Sequence, residues 1–137
     1  MGRVVALDYG GKRSGLAATD TLKLIANPLK AVPTSDLKSF IAQYCTAEEV
    51  ETLVVGDPLS LQGKKQPIEI EIQEFVKWFS KQFPTIEVVR MDERFTSSIA
   101  ARALIDGGLK KNKRRDKTLL DVVSAVLILQ AYLEKHH

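Results

Sequence analysis

The stretch Arg3-Val4-Val5-Ala6-Leu7-Asp8-Tyr9-Gly10-Gly11 sets the fold. Val4 to Leu7 is continuously apolar and rich in β-branched residues, the pattern of a strand buried on both faces, and Tyr9-Gly10-Gly11 supplies turn chemistry directly after it. An acid, Asp8, therefore ends a core strand. Outward from there, Gly15 to Thr19 predicts a second strand and about Leu24 to Ala31 a third, joined through Asp20-Thr21. Connections this short imply antiparallel neighbours. Ser35 fits the N-cap of a helix from Asp36 to about Ala47, along which Leu37, Phe40, Ile41 and Tyr44 recur at helical spacing.

Thr52 to Gly56 predicts a further buried strand, stopped by Asp57-Pro58 and followed by a polar loop from Ser60 to Gln66. A helix with Pro67 in its first turn runs to about Gln82 and carries Ile68, Ile72, Phe75, Val76 and Phe79 on one stripe. Ile86 to Met91 forms the fifth strand, with Asp92-Glu93-Arg94 at its end. A helix then starts at Thr96-Ser97-Ser98 and stops at Gly107-Gly108. Leu119 to Leu133 is apolar on nearly all sides, so the last helix must be largely covered. The order βββαβαβα predicts an α/β fold, a five-stranded mixed sheet with helices on both faces. At 137 residues and 45% hydrophobic content, one domain spanning 1–137 is expected.

Cys45 is the only cysteine, which excludes an intramolecular disulfide and a cysteine-based zinc site and fits a reducing cytoplasm. The N-terminal apolar run is too short for a signal or a membrane span, and Ala6 stands where a myristoylation signal needs Ser or Thr. No membrane association is expected. His136 and His137 are given no role. The formal charge is +3, yet Lys110-Lys111-Asn112-Lys113-Arg114-Arg115-Asp116-Lys117 alone carries +5, leaving −2 on the other 129 residues. Clustered Lys and Arg gain affinity for a polyanion by releasing its counterions, although a basic octapeptide is as often a solvated loop.

Asp8, Asp57, Asp92 and Glu93 share one property: each lies at the carboxyl end of a predicted core strand, where α/β sheets bind ligands. Like charges a few ångströms apart raise one another's pKa unless a cation sits between them. Hard oxygen ligands suit Mg²⁺ or Mn²⁺, and two such ions about 4 Å apart promote in-line phosphodiester hydrolysis. Asp121 is the third acid of choice. It shares a helical stripe with Ser124, Ala125 and Ile128, where a carboxylate needs a partner. Each acid has a structural alternative. Thr118 to Asp121 also matches a capping box, and Asp8 could cap its own turn. Asp92 or Glu93 could serve a helix dipole or pair with Arg94, and Asp57 could be a turn residue. Lys12, Arg13, Lys64, Lys65 and Arg94 fall in or beside loops at the same crevice.

Four stretches together resemble the YqgF/RuvX family of Holliday junction resolvase-like proteins. They are Leu7-Asp8-Tyr9-Gly10-Gly11-Lys12-Arg13-Ser14-Gly15, Val54-Val55-Gly56-Asp57-Pro58-Leu59-Ser60, Asp92-Glu93-Arg94-Phe95-Thr96-Ser97, and Asp121 to Gln130. The resemblance implies an RNase H-like fold and a nuclease maturing the 5′ end of 16S ribosomal RNA, or resolving DNA junctions. It implies an acidic, metal-holding site at Asp8, the Asp92-Glu93 pair and Asp121, with Glu93 the preferred ligand of the pair; Asp57 could add an acid at a strand end where related resolvases carry one. Lys12 and Arg13 match the basic pair of the first motif. Gly11 departs from the usual Thr, and Asp57 from a commonly apolar residue.

The expected function is a Mg²⁺- or Mn²⁺-dependent endonuclease. Structured RNA is the preferred partner, such as pre-16S rRNA in ribosomal precursor particles, and branched DNA the alternative. Lys110, Lys111, Lys113, Arg114 and Arg115 would grip the backbone, and the chain would act as a monomer or homodimer. A binding-only ribosome assembly factor is the competing reading. Asp8-Tyr9-Gly10 with Lys12 and Gly15 also resembles the phosphate hairpin of actin-like and sugar-kinase ATPases, but those bind nucleotide between two such domains.

Overall fold

A computed structural model describes residues 2–58, 66–92 and 117–135. Its elements are β1 (Arg3–Asp8), β2 (Arg13–Thr19), β3 (Ala26–Pro33), α1 (Leu37–Ala47), β4 (Val50–Asp57), α2 (Glu69–Gln82), β5 (Glu87–Asp92) and α3 (Lys117–Lys135). The strands form one sheet in the order β3-β2-β1-β4-β5. The β1–β2 and β2–β3 pairs are antiparallel, whereas β1–β4 and β4–β5 are parallel. The five-stranded mixed sheet expected from the sequence is thus present.

Alternation along the strands feeds two cores. Val5, Leu7, Leu16, Leu53 and Val55 face α1 and α2, where they meet Leu37, Ile41, Ile72, Phe75 and Phe79. Val4, Ala6, Ala17 and Val54 face α3 and pack on Ala125, Ile128, Leu129 and Leu133. Side chains i and i+2 of a strand share a face, so this parity also fixes where the strand-end acids point. Among the described residues no helix is long and apolar enough to cross a membrane. Burial pushes the Cys45 thiol up to about 11, so it stays protonated and is no nucleophile.

Several boundaries move, each for a local reason. β3 begins at Ala26 rather than Leu24, because the Asp20 carboxylate accepts hydrogen bonds from the Leu22, Leu24 and Ile25 N–H groups, at 3.2, 2.9 and 2.9 Å. Those bonds hold 20–25 as a loop, with Lys23 at φ 60°, and hold the Asp20 carboxyl below its usual pKa, the Ile25 N–H contributing most. β2 begins at Arg13, two residues before Gly15. Ser35 does not cap α1: a 3₁₀ turn spans Thr34–Asp36, and no side chain caps either segment. Pro67 lies in the turn leading into α2, whose first residue is Glu69. β5 extends to Asp92, so that acid belongs to the strand. α3 already includes Lys117, so Thr118 lies within the helix rather than before it. The predicted loop 60–65 and the helix from Thr96 to Gly107 lie outside the described residues.

Candidate active site

Asp8, Asp57 and Asp92 are the last residues of the parallel strands β1, β4 and β5, so all three reach the carboxyl edge of the sheet. They do not share a face. Asp8 follows Val4 and Ala6 onto the α3 side. Asp57 follows Leu53 and Val55 onto the α1–α2 side, and Asp92, its register partner, follows Val88 there. Because β4 separates β1 from β5, Asp8 and Asp92 also stand two strand spacings apart, roughly 10 Å.

Asp121 joins Asp8 through a glycine. Gly15 is the register partner of Asp8, and a Cβ built on Gly15 would collide with the backbone carbonyl of Asp121. Only a residue without a side chain lets α3 lie this close to β2. Gly15→Ala is expected to cost about 1–3 kcal/mol by overpacking and to push Asp121 away from Asp8. Thermal unfolding measures the first effect. If the contact matters to catalysis, nucleolytic activity will fall further than the folded fraction does.

Arg13, two residues before Gly15 and on the same face, donates through Nε to Asp121 Oδ2 at 3.2 Å. The inward carboxylate thus has a partner within the chain, one that sequence reasoning missed. Arg13 and Lys12 sit on a stapled loop. Thr34 Oγ1 donates to the Gly10 carbonyl at 2.6 Å and shares a 2.9 Å hydrogen bond with the buried Ser14 hydroxyl. The Thr34 N–H donates to the Lys12 carbonyl at 2.8 Å. A Cβ at Gly10 would strike the Arg13 carbonyl, so the turn requires glycine there. At Gly11 an added Cβ meets nothing within 4 Å, and that departure from the family pattern costs no packing. Lys12 is exposed.

On the opposite face, Arg90 makes a two-pronged ion pair with the buried Glu69 at 2.9 and 2.8 Å. It also donates to the carbonyls of Val55 and Gly56 at 3.3 and 3.0 Å. Asp57 Oδ1 lies 3.8 Å from the same guanidinium. Arg90 and Glu69 thus tie α2 to the ends of β4 and β5, with Asp57 beside them on the far side of the sheet from Asp8.

Glu93, Arg94, Lys64, Lys65, Lys110, Lys111, Lys113, Arg114 and Arg115 lie outside the described residues. Among the described residues no group of three or more His, Cys, Asp or Glu side chains is placed to hold a metal ion. Asp8 and Asp121 each carry hard carboxylate oxygens of the kind that suits Mg²⁺ or Mn²⁺.

Residues 2–135 match the family described as "RuvX: Holliday junction resolvase". The chain belongs to the RuvX family. A relative from Christiangramia forsetii, named "Putative pre-16S rRNA nuclease", is 50% identical over 97% of this chain and 98% of its own. One of the same name from Bacteroides thetaiotaomicron is 46% identical over 98% and 97%. In structure, this RuvX-family chain is similar to Thermus thermophilus RuvC in complex with a Holliday junction substrate, at a TM-score of 0.58 and 15% identity over 96% of each chain. That likeness shows an RNase H-like fold.

Proposed function

We propose that this RuvX-family chain is a nuclease that hydrolyses phosphodiester bonds at the carboxyl edge of its sheet, with Asp8, Glu93 and Asp121 holding Mg²⁺ or Mn²⁺. The observation that carries the proposal is that the Asp121 backbone packs directly over Gly15, the register partner of Asp8. Glu93 is proposed over Asp92 because Asp92 faces α1–α2, the side of the sheet away from Asp8. When bound, the divalent cations would lower the pKa of the attacking water and stabilise the leaving oxygen.

The chain's own residues do the rest. Arg13 neutralises Asp121 in the metal-free chain, and once a cation takes that place the released guanidinium can hold a phosphate oxygen. Lys12 extends the same basic edge towards solvent. Arg13→Gln is expected to tighten Mn²⁺ binding by about threefold, since a half-exposed ion pair contributes under 1 kcal/mol, while weakening RNA binding. Calorimetric titrations with Mn²⁺ and with RNA read the two effects independently.

The proposed substrate is the 5′ precursor region of 16S rRNA, cleaved in the cytoplasm, as the names of the relatives suggest. The likeness to RuvC on a junction favours branched DNA as a second reading. Incubating the purified chain with labelled precursor RNA and with a four-way DNA junction, each with Mn²⁺ and with EDTA, tests the proposal. Metal-dependent cuts in the RNA that vanish with Asp8→Asn support it; cuts confined to the junction favour resolution. No cutting of either leaves binding alone.

A further inference from the structure

Tyr9 follows Asp8 directly but points to the other face of the sheet, where its ring lies 5.9 Å from that of Phe75. The two line a cavity of about 300 Å³ between the start of α1 and the first turns of α2, bordered by Ser35, Lys38, Glu71 and Glu74. The cavity lies at the end of β1, since Tyr9 in its wall directly follows Asp8.

Its chemistry selects against phosphate. Two carboxylates face one ammonium, so the wall is net negative, while the Tyr9 and Phe75 rings offer an apolar floor for a flat group. Glu71 Oε1 accepts the Tyr9 hydroxyl at 3.4 Å, a long bond that leaves carboxylate lone pairs for a second donor. Burial and Glu71 both raise the Tyr9 pKa, so the phenol remains a donor at neutral pH. A volume of this size sits at the small end of ligand sites and suits one planar base. Single-stranded RNA is recognised in this way, by bases splayed from the strand, stacked on aromatics and hydrogen-bonded along their Watson–Crick edges.

We infer that this cavity is a nucleobase subsite, in which a guanine of the substrate strand stacks on Tyr9 and presents its N1–H and N2 amino groups to Glu71. Among the bases, guanine alone offers one carboxylate two adjacent N–H donors; uracil flanks its single N–H with carbonyls that the carboxylates repel. The strand would cross the sheet edge with its phosphate on the Asp8 side and one base on the Tyr9 side. This inference rests on the reading of the chain as an enzyme acting on nucleic acid.

Trp78, the only tryptophan, has its ring 5.7 Å from Phe75 and 5.2 Å from the Lys38 ammonium, so its fluorescence reports on the cavity. The test is a titration in EDTA, where no metal-dependent cleavage occurs, with hexauridylate and with the same hexamer carrying one central guanine. The guanine hexamer should bind about tenfold tighter, as one two-pronged base contact provides. In Glu71→Gln, an exposed position whose change leaves the core intact, the preference should shrink to about twofold or less, because an amide no longer accepts both protons. Equal affinities in the wild type, or an undiminished preference in Glu71→Gln, would overturn the subsite. A cleavage assay with Mn²⁺ and Asp8→Asn judges the nuclease reading separately, so either can fail while the other stands.

Discussion

Asp8→Asn is expected to lower the metal-dependent cleavage rate by more than about 100-fold. Losing even an outer partner of a metal ligand costs about 10–100-fold, and Asp8 is proposed as a ligand itself. The amide keeps the shape of the carboxylate and removes its charge. The change falls at the end of β1, beyond the buried run Val4 to Leu7 that holds the strand in place, so the sheet should persist. Single-turnover cleavage with saturating Mn²⁺ gives the rate, and circular dichroism shows whether the fold survives. A variant that folds and still cuts within a few-fold of the wild type would remove Asp8 from the chemistry.

Glu69→Gln is expected to destabilise the fold by about 3 kcal/mol, the low end of what breaking a buried ion pair costs. Glu69 is 6% exposed, and its carboxylate meets Arg90 through two hydrogen bonds and the Gln73 amide through a third at 3.0 Å. Without the negative charge, the guanidinium retains two backbone carbonyls and Asp57 at 3.8 Å. The Arg90 side chain is also 27% exposed, and these remaining contacts keep the cost from the upper end of the range. For a domain of this size the melting temperature should fall by about 10 °C. A drop of less than 2 °C would mean that water or Asp57 replaces Glu69 almost fully.

The strands were legible because short apolar runs ended by Asp or Gly-rich turns leave little alternative, and with them came the placing of Asp8, Asp57 and Asp92 at one edge. The side of the sheet each acid occupies was not legible. A strand-end residue changes face with a one-position shift of register, so neighbours such as Asp92 and Glu93 cannot be told apart by position alone. The Ser35 cap failed because the neighbouring Thr34 hydroxyl is committed to the Gly10 carbonyl and Ser14, which draws the chain into a 3₁₀ turn first. The early start assigned to β3 failed because one carboxylate, Asp20, ties up three N–H groups that a strand would have used. Arg13 with Asp121, and Arg90 with Glu69, join residues 108 and 21 positions apart and leave no periodic trace in the sequence. The inward helical stripe expected to carry Asp121 packs on β2, and Gly15 is what lets the Asp121 backbone come so near.

Crystals soaked in Mn²⁺ and measured at its absorption edge test the central claim most directly. The account predicts anomalous peaks within about 2.0–2.6 Å of carboxylate oxygens of both Asp8 and Asp121, with Arg13 swung away from Asp121. Peaks between Asp57 and Asp92 alone, on the α1–α2 face, or an Arg13–Asp121 pair unchanged at saturating metal, would contradict it.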